Sequence, residues 1–321
     1  MEQNVIVSIV IVCMNNMRNL YTCLNSIQKE TCLEYETFVV AYLFDSENLN
    51  KAKKDFPWVV FIESNEIRGF SENNNLALRL AKGKYCFVVN DDTEMRSPVI
   101  DRLVESIEKL PQNVAIISPK FLNADGTVQA CGNTEKNLKS YFRSFYGLKK
   151  SGSENRYINQ TGIFLTKQIL GAGFLIKRSV FEQIGFFDER YFFSPEDLEV
   201  ARQVQRLGYL CYVDADACLI HYEGMTTRSL SMVSTATKPA STVGNIIYYG
   251  DRSAFWSFVV RCHQFVGSFA RFVYHRIRAI GKKKPNYHDI WAIGYCNATR
   301  ACLSFASPKE VFVKYYSKLL H

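Results

Sequence analysis

Residues Val5-Ile-Val-Ser-Ile-Val-Ile-Val-Cys13 form an almost unbroken β-branched run. A run without polar alternation buries both faces, which predicts a central strand of a parallel sheet. Asn15 and Asn16 end it, and Leu20, Leu24 and Ile27 follow at helical spacing. The strand pattern returns at Thr37–Leu43, Trp58–Glu63, Tyr85–Val89 and Val114–Ser118. Between these lie a helix with Ser71 as N-cap, running through Leu76, Leu80 and Ala81 to a stop at Gly83, and another over Val99–Leu110. Such strand–helix alternation, sustained over about 120 residues, predicts an open α/β sheet.

Several classes of protein are excluded early. The longest apolar run, Val5–Met14, is too short for the roughly 20 residues of a spanning helix. The start Met-Glu-Gln-Asn, acidic and without Lys or Arg, does not resemble a signal peptide. With 47% hydrophobic and 22% charged residues, the chain is neither disordered nor fibrous. Its ten cysteines never form C-x-x-C, and several sit inside apolar runs, which argues for buried free thiols in a reducing cytosol over disulfides or zinc.

The pattern loosens from Gly126 to Thr166, where long loops or short hairpins are expected to carry a binding surface. Regular apolar content resumes at Ile169–Ile176, a helix is expected over Leu198–Leu207, and short strands over Tyr209–Val213 and Cys218–His221. Thr226–Thr242, rich in Ser and Thr, reads as a linker. The expected organisation is a domain over 1–228, a linker over 229–244 and a helical segment over 245–321. Net charge is +8, but residues 238–321 alone hold thirteen Lys/Arg against Asp251, Asp289 and Glu310, a balance of +10. A basic, aromatic C-terminal segment on a slightly acidic body predicts contact with an anionic surface, a bilayer or nucleic acid. No recognisable nucleic-acid module is present, so nucleic acid is not expected as a partner.

Ligands of open α/β sheets sit beyond the carboxyl ends of strands. There stands Asn90-Asp91-Asp92-Thr93. Adjacent carboxylates repel unless neutralised, and a divalent cation bridging to a diphosphate would do so; a solvated turn is the plain alternative. A second acidic cluster, Glu196-Asp197, opens a helix after Ser194-Pro195, where the helix dipole favours acids; one of them could equally serve as a general base. His221 ends a short apolar strand, either as a structural residue or as a metal ligand.

The order of motifs is specific. Asn15 follows the first strand, then come Gly69-Phe70 with Asn75, Asn90-Asp91-Asp92-Thr93, Ser118-Pro119-Lys120 and Asp125-Gly126. Gly171-Ala172-Gly173, Gly185-Phe186-Phe187-Asp188, Glu196-Asp197, Arg202, Leu207-Gly208-Tyr209 and Ile220-His221 complete the series. Over residues 5–228 this resembles the family 2 glycosyltransferases, most of all their rhamnosyltransferase-like branch that builds bacterial surface polysaccharides. The resemblance implies a GT-A fold: a nucleotide-sugar-binding α/β half joined to an acceptor half. It implies Asp92 and His221 as ligands of Mg²⁺ or Mn²⁺, with Asn90 in the first place of the family's D-x-D motif. Asp197 falls on the catalytic base, with Glu196 beside it. Asn15, Asp45, Gly69, Asn75, Asn90, Asp91 and Gly173 fall on the nucleotide-sugar side. The implied activity is inverting transfer from a UDP- or dTDP-linked sugar to a glycan or lipid-linked acceptor. The implied location is cytoplasmic, peripheral on the inner face of the cytoplasmic membrane.

The chain also departs from that pattern. Cys13-Met14-Asn15-Asn16 replaces the usual Thr-Tyr-Asn-Arg, and Ala41-Tyr42 replaces an Asp-Asn pair whose Asp helps hold the nucleobase, leaving Asp45 as a shifted substitute. Ile67 stands where an Asn is usual. These losses keep a rival open, a catalytically silent homologue that binds a glycan or a partner enzyme.

Overall fold

The computed structural model describes residues 5–134, 136–145, 157–222, 232–281 and 286–319. The first third follows the alternation: β1 (Val7–Cys13), α1 (Met17–Glu30), β2 (Tyr35–Tyr42), α2 (Ser46–Asp55), β3 (Val59–Ser64), α3 (Phe70–Leu78) and β4 (Tyr85–Asn90). β1 pairs in parallel with β2 and β4, and β2 in parallel with β3. Alternate β1 residues feed the two sides of the sheet. Ile9 and Ile11 pack with Leu20, Leu24 and Leu103, while Val10 packs with Ala77, Leu78 and Phe174. A strand buried on both faces needs no polar positions, which is why the sequence shows none.

α3 starts two residues earlier than its sequence suggests, because Gly69 rather than Ser71 caps it. Gly69 N–H donates to the Glu72 carboxylate at 3.0 Å, and Phe70 N–H donates to Phe192 O at 3.0 Å. A Cβ at Gly69 would stand 2.4 Å from that same carbonyl oxygen, so only glycine allows the approach.

The sheet continues through β5 (Thr93–Met95), α4 (Val99–Lys109), β6 (Val114–Leu122), β7 (Val128–Ala130), α5 (Leu138–Phe145), β8 (Ile163–Thr166), β9 (Gly173–Lys177), α6 (Arg178–Gln183), α7 (Glu196–Arg206) and β10 (Leu210–His221). Its order is β3-β2-β1-β4-β9-β6-β10-β5, with β7 on β6 and β8 on β10. β9 runs antiparallel between β4 and β6. The two short strands expected at 209–213 and 218–221 are one strand with a register shift between Asp214 and Cys218. The irregularity faces the fully buried Asp214 toward α4, where its carboxylate accepts from Arg102 Nε at 2.9 Å and Ser106 Oγ at 2.7 Å.

The C-terminal segment is α8 (Ser234–Gly250), α9 (Ala254–Ala279), α10 (Tyr287–Cys302) and α11 (Pro308–Tyr316). The expected linker over 229–244 is therefore corrected. Residues 229–231 lie outside the described residues, and 234–244 are the first turns of α8. Its Thr235, Ala236, Pro239, Ala240, Thr242 and Gly244 are buried, so the small side chains serve close packing rather than flexibility. Pro239 cannot donate to the carbonyl of Thr235, and Asn297 Nδ2 of α10 fills that acceptor at 3.0 Å.

The helices clamp the α/β half. The Phe192 and Phe312 rings stack at 4.4 Å, and Lys309 Nζ meets Glu72 at 2.7 Å. Arg202 donates to Tyr248 O at 2.7 Å, and Gly244 lies against the Ser194 backbone, where a Cβ would stand 2.6 Å from the carbonyl oxygen. The outer face of α9 is different: Phe255, Phe258, Val266, Phe269 and Ile277 are all at least half exposed.

Candidate active site

β4 ends at Asn90, where Thr93 Oγ1 donates back to Asn90 O at 2.8 Å and closes a turn over Asp91 and Asp92. β5 then pairs antiparallel with the end of β10, setting Thr93 opposite His221. Tyr222 N–H donates to Asp92 O at 2.9 Å and fixes the pair. The result is a buried Asp92 whose Oδ1 lies 3.3 Å from His221 Nε2. The contact lacks hydrogen-bond alignment, and Asp92 Oδ1 is buried with no hydrogen-bond partner.

Gln129 explains the arrangement. Its Nε2 donates to Asn123 Oδ1 at 3.2 Å and to His221 O at 3.3 Å, which leaves Oε1 to accept from His221 Nδ1 at 2.8 Å. With the proton on Nδ1, Nε2 carries a lone pair. Two lone-pair atoms then face each other, an arrangement that a shared cation would satisfy. The donor set, one carboxylate oxygen and one imidazole nitrogen, suits Mn²⁺ or Mg²⁺ completed by diphosphate oxygens. Among the described residues no cluster of three or more His, Cys, Asp or Glu could hold a metal alone. Asp91 points elsewhere: burial, with the Asp92 charge adding, raises its carboxyl to about 6 beside the Cys13 thiol.

The second cluster is tied to the first through the dipeptide Gly171-Ala172. Asn90 N–H donates to Ala172 O at 3.1 Å, and the neighbouring Gly171 N–H donates to Asp197 Oδ2 at 3.2 Å. Asp197 Oδ1 accepts from Leu198 N–H at 2.8 Å in the first turn of α7. Burial raises both Asp197 and Glu196, and the Asp197 charge pushes Glu196 further. Backbone donors oppose the rise at both carboxyls, but both oxygens of Asp197 accept one, whereas Glu196 Oε2 is buried without a partner. When the pair holds one proton, that asymmetry puts it on Glu196 and leaves Asp197 ionised. Glu199 is no competitor, because Tyr191, Arg202 and Gln203 occupy its carboxylate.

A third group sits at the ends of β1 and β2. Asn15, at φ 49°, donates from Nδ2 to Asp45 Oδ2 at 2.8 Å. Asp45 caps α2 through Asn48 N–H at 2.7 Å, and Asn48 Nδ2 donates to Asn15 Oδ1 at 3.0 Å. These bonds hold the Asp45 carboxyl below its usual range, that from the Asn48 backbone most of all.

The structure thus sets Asp92 against His221, ties Asn90 to Asp197 through Gly171-Ala172, and joins Asn15 to Asp45. It gives other expected residues structural work. Asn75 is buried and fully engaged, donating to Phe187 O and Glu189 Oε1 at 2.9 Å each and accepting from Phe187 N–H at 3.1 Å. Gly173 lies inside β9, where a Cβ would stand 2.9 Å from Leu219 Cδ2. Gly69 serves the Phe192 approach. Sequence reasoning missed Gln129, Asn48 and Gly171. Only Gly171 left a signal, as the first residue of Gly171-Ala172-Gly173.

Comparison with known proteins bears on the family and the fold. The chain is 30% identical over 186 residues to the N-acetylglucosaminyl-diphospho-decaprenol L-rhamnosyltransferase of Mycobacterium tuberculosis, covering 54% of this chain and 57% of that one. It is 26% identical over 157 residues to the O-antigen biosynthesis protein RfbC of Myxococcus xanthus, covering 49% of this chain but 12% of that one. Among solved structures it resembles the mannosyltransferase PcManGT of Pyrobaculum calidifontis in complex with GDP-Man and Mn²⁺, with a TM-score of 0.53, 14% identity and coverage of 99% and 86%. GalNAc-T7 with UDP, GalNAc and Mn²⁺ gives 0.54 and 15% identity, covering 100% of this chain and 58% of that one. The fold is GT-A. The profile described as glycosyl transferase family 2 matches residues 8–185, and with more than half the sequence inside that match the chain belongs to this family.

Proposed function

We propose that the chain transfers a sugar from a nucleotide-sugar to a glycan or lipid-linked acceptor in cell-surface polysaccharide synthesis, with inversion. The observation that carries this reading is the buried, partnerless Asp92 Oδ1 facing His221 Nε2, on a strand end that Gly171-Ala172 ties to Asp197. Asp92 and His221 would hold Mg²⁺ or Mn²⁺, which offsets charge on a departing diphosphate. Gln129 keeps the imidazole in the tautomer that leaves Nε2 free. Asp197, oriented by the Gly171 and Leu198 N–H groups, accepts the proton of the acceptor hydroxyl as that oxygen attacks the anomeric carbon. Nothing in this scheme requires a covalent sugar–enzyme intermediate. The Asn15–Asp45–Asn48 group at the β1 and β2 ends suits a nucleobase edge. The relative whose printed name gives L-rhamnosyl transfer to a lipid diphosphate supports a sugar donor and an acceptor of the same classes, and one named dTDP-rhamnosyl transferase supports a dTDP-linked donor.

The reading is tested by thermal shift with UDP-, dTDP- and GDP-sugars, in Mn²⁺ and in EDTA. At 100 times the dissociation constant a ligand adds about 2.7 kcal/mol to native stability. A clear rise in Tm with a nucleotide-sugar, present in Mn²⁺ and absent in EDTA, is expected. No rise with any of them would leave the silent glycan-binding homologue.

The same proposal places the protein on the inner face of the cytoplasmic membrane through α9. Phe255, Phe258 and Ile277 are more than 60% exposed, Phe305 beside α9 is 93% exposed, and Arg261, Arg276 and Arg278 lie on the same helix. None of the described helices is long and apolar enough to cross a membrane. Apolar rings at the headgroup level with basic neighbours bind anionic bilayers, each nearby Lys or Arg contributing about 1 kcal/mol. Sedimentation with liposomes should rise with anionic lipid content and fall with salt. Protein that stays in the supernatant at every composition would make the segment a structural cap only.

A further inference from the structure

The segment 191–195 leads into α7 and so sets where Glu196 and Asp197 begin. It is gripped from two sides. On the α/β side, Phe70 N–H donates to Phe192 O at 3.0 Å, with Gly69 packed against the same carbonyl. On the C-terminal side, Phe312 stacks on the Phe192 ring at 4.4 Å, and Gly244 of α8 lies against the Ser194 carbonyl. A Cβ at Gly244 would stand 2.6 Å from that oxygen and 3.5 Å from Pro195 Cδ. Ser194 holds φ at 43°, in the left-handed region, which a residue with a Cβ keeps only where its surroundings impose it.

From there α8 runs on beside α7. Arg202 donates to Tyr248 O at 2.7 Å, with its guanidinium 4.2 Å from the Tyr248 ring centre, and Arg206 meets Asp251 at 3.1 Å. Glu199 N–H donates to Pro195 O at 3.1 Å, so the backbone beside Gly244 opens the same helical turn that carries Asp197. The sheet holds Asp197 separately: Gly171 N–H donates to its Oδ2 at 3.2 Å, and Ala172 O accepts from Asn90 N–H at the end of β4. The carboxylate therefore sits at a joint, fastened to the sheet through Gly171 and to the C-terminal helices through the start of α7.

We infer that Gly244 is a positioning residue for Asp197, and that α8 sets the start of α7 against the sheet so that the base meets the Gly171 amide. The effect on rate rests on the transferase reading above; the joint itself does not. To reach ordinary contact distance, a side chain at 244 would have to push Ser194 or α8 by about 1 Å. Misplacing a reacting group by about 1 Å can cost about 10²-fold in rate.

Gly244→Ala and Gly250→Ala form the test pair. A Cβ at Gly250 would stand 2.6 Å from Ser257 Cα, so this change strains the same helix by a comparable amount, but against α9 and away from Ser194. Both variants are expected to lower Tm. Selective ¹⁵N-glycine labelling follows the Gly171 amide, identified by its loss in Gly171→Ala. Gly244→Ala is expected to shift that resonance, and Gly250→Ala to leave it in place. Turnover is read as release of nucleoside diphosphate, with water as acceptor, from whichever UDP-, dTDP- or GDP-sugar raises Tm. Gly244→Ala is expected to lower kcat about tenfold or more with donor KM within about twofold, while Gly250→Ala keeps both within about twofold. Should Gly244→Ala not fold, Phe312→Leu, which trims the stack on Phe192, is expected to move both readouts in the same direction. A Gly171 amide that stays in place in Gly244→Ala, a kcat kept at the wild-type level, or a kcat lost equally in both glycine variants would overturn the positioning role. If wild-type protein neither binds nor turns over any nucleotide-sugar, the transferase reading falls, and the Gly171 amide still decides whether α8 holds Asp197.

Discussion

Asp197→Asn is expected to lower sugar transfer by about 10²- to 10⁴-fold, the usual loss when a positioned base is removed, with donor affinity within a few fold of wild type. Gly171 and Leu198 N–H donate to different oxygens of Asp197, so the amide keeps an acceptor for one of them only and sets its NH₂ against the other, while the proton acceptor is lost. Glu196→Gln is expected to keep turnover within a few fold, because Glu196 carries the shared proton at the working pH. It also probes the electrostatics of the pair. Burial raises the folded Glu196 carboxyl above its unfolded value, so its contribution to stability is full below the ordinary Glu range and is lost as pH rises through the folded value. Glu196→Gln should therefore gain Tm relative to wild type as pH rises above the ordinary Glu range. The transfer rate should climb with pH through the titration of the pair, at a higher pH than an unburied Asp would give. Wild-type turnover in Asp197→Asn would remove Asp197 as the base and make Glu196 the residue to test.

Asp92→Ala is expected to abolish the Mn²⁺-dependent part of donor binding, and His221→Ala to weaken it less. Asp92 brings a formal charge to the cation, while neutral imidazole brings a lone pair. Gln129→Ala should follow His221→Ala in direction, because a partner that orients a metal-holding imidazole typically carries about 10- to 100-fold of metal affinity. A calorimetric series of the three variants with a nucleotide-sugar, in Mn²⁺ and in EDTA, reads all of this. Equal wild-type affinity in the two buffers would take the metal out of the mechanism.

What the sequence discloses depends on how local its cause is. The β1 run is legible because burial on both faces is written into every residue of the strand. Asp92 and Asp197 are legible because strand ends and helix starts have short-range signatures, and because the motifs keep their order. Asn75 and Gly173 mislead for the opposite reason: their work is a bond to Phe187 and a contact with Leu219, distant in sequence. α8 looks like a linker because Ser, Thr and Ala favour loops when unpartnered, and only Asn297 and the neighbouring helices make a helix of them. Gln129 carries no signal at all, since its role exists only once β7 lies beside the end of β10. The antiparallel insertion of β9 is likewise invisible to any pattern within the strand itself.

The dipeptide Gly171-Ala172 has a mechanical consequence. Its carbonyl fastens the end of β4 at Asn90, and its amide fastens the Asp197 carboxylate. On the proposed mechanism, one short stretch of backbone would then fix the separation between bond cleavage and deprotonation. Lobe closure cannot tune that separation without breaking one of these bonds. Selectivity among acceptors must then come from where their hydroxyls reach against this fixed gauge.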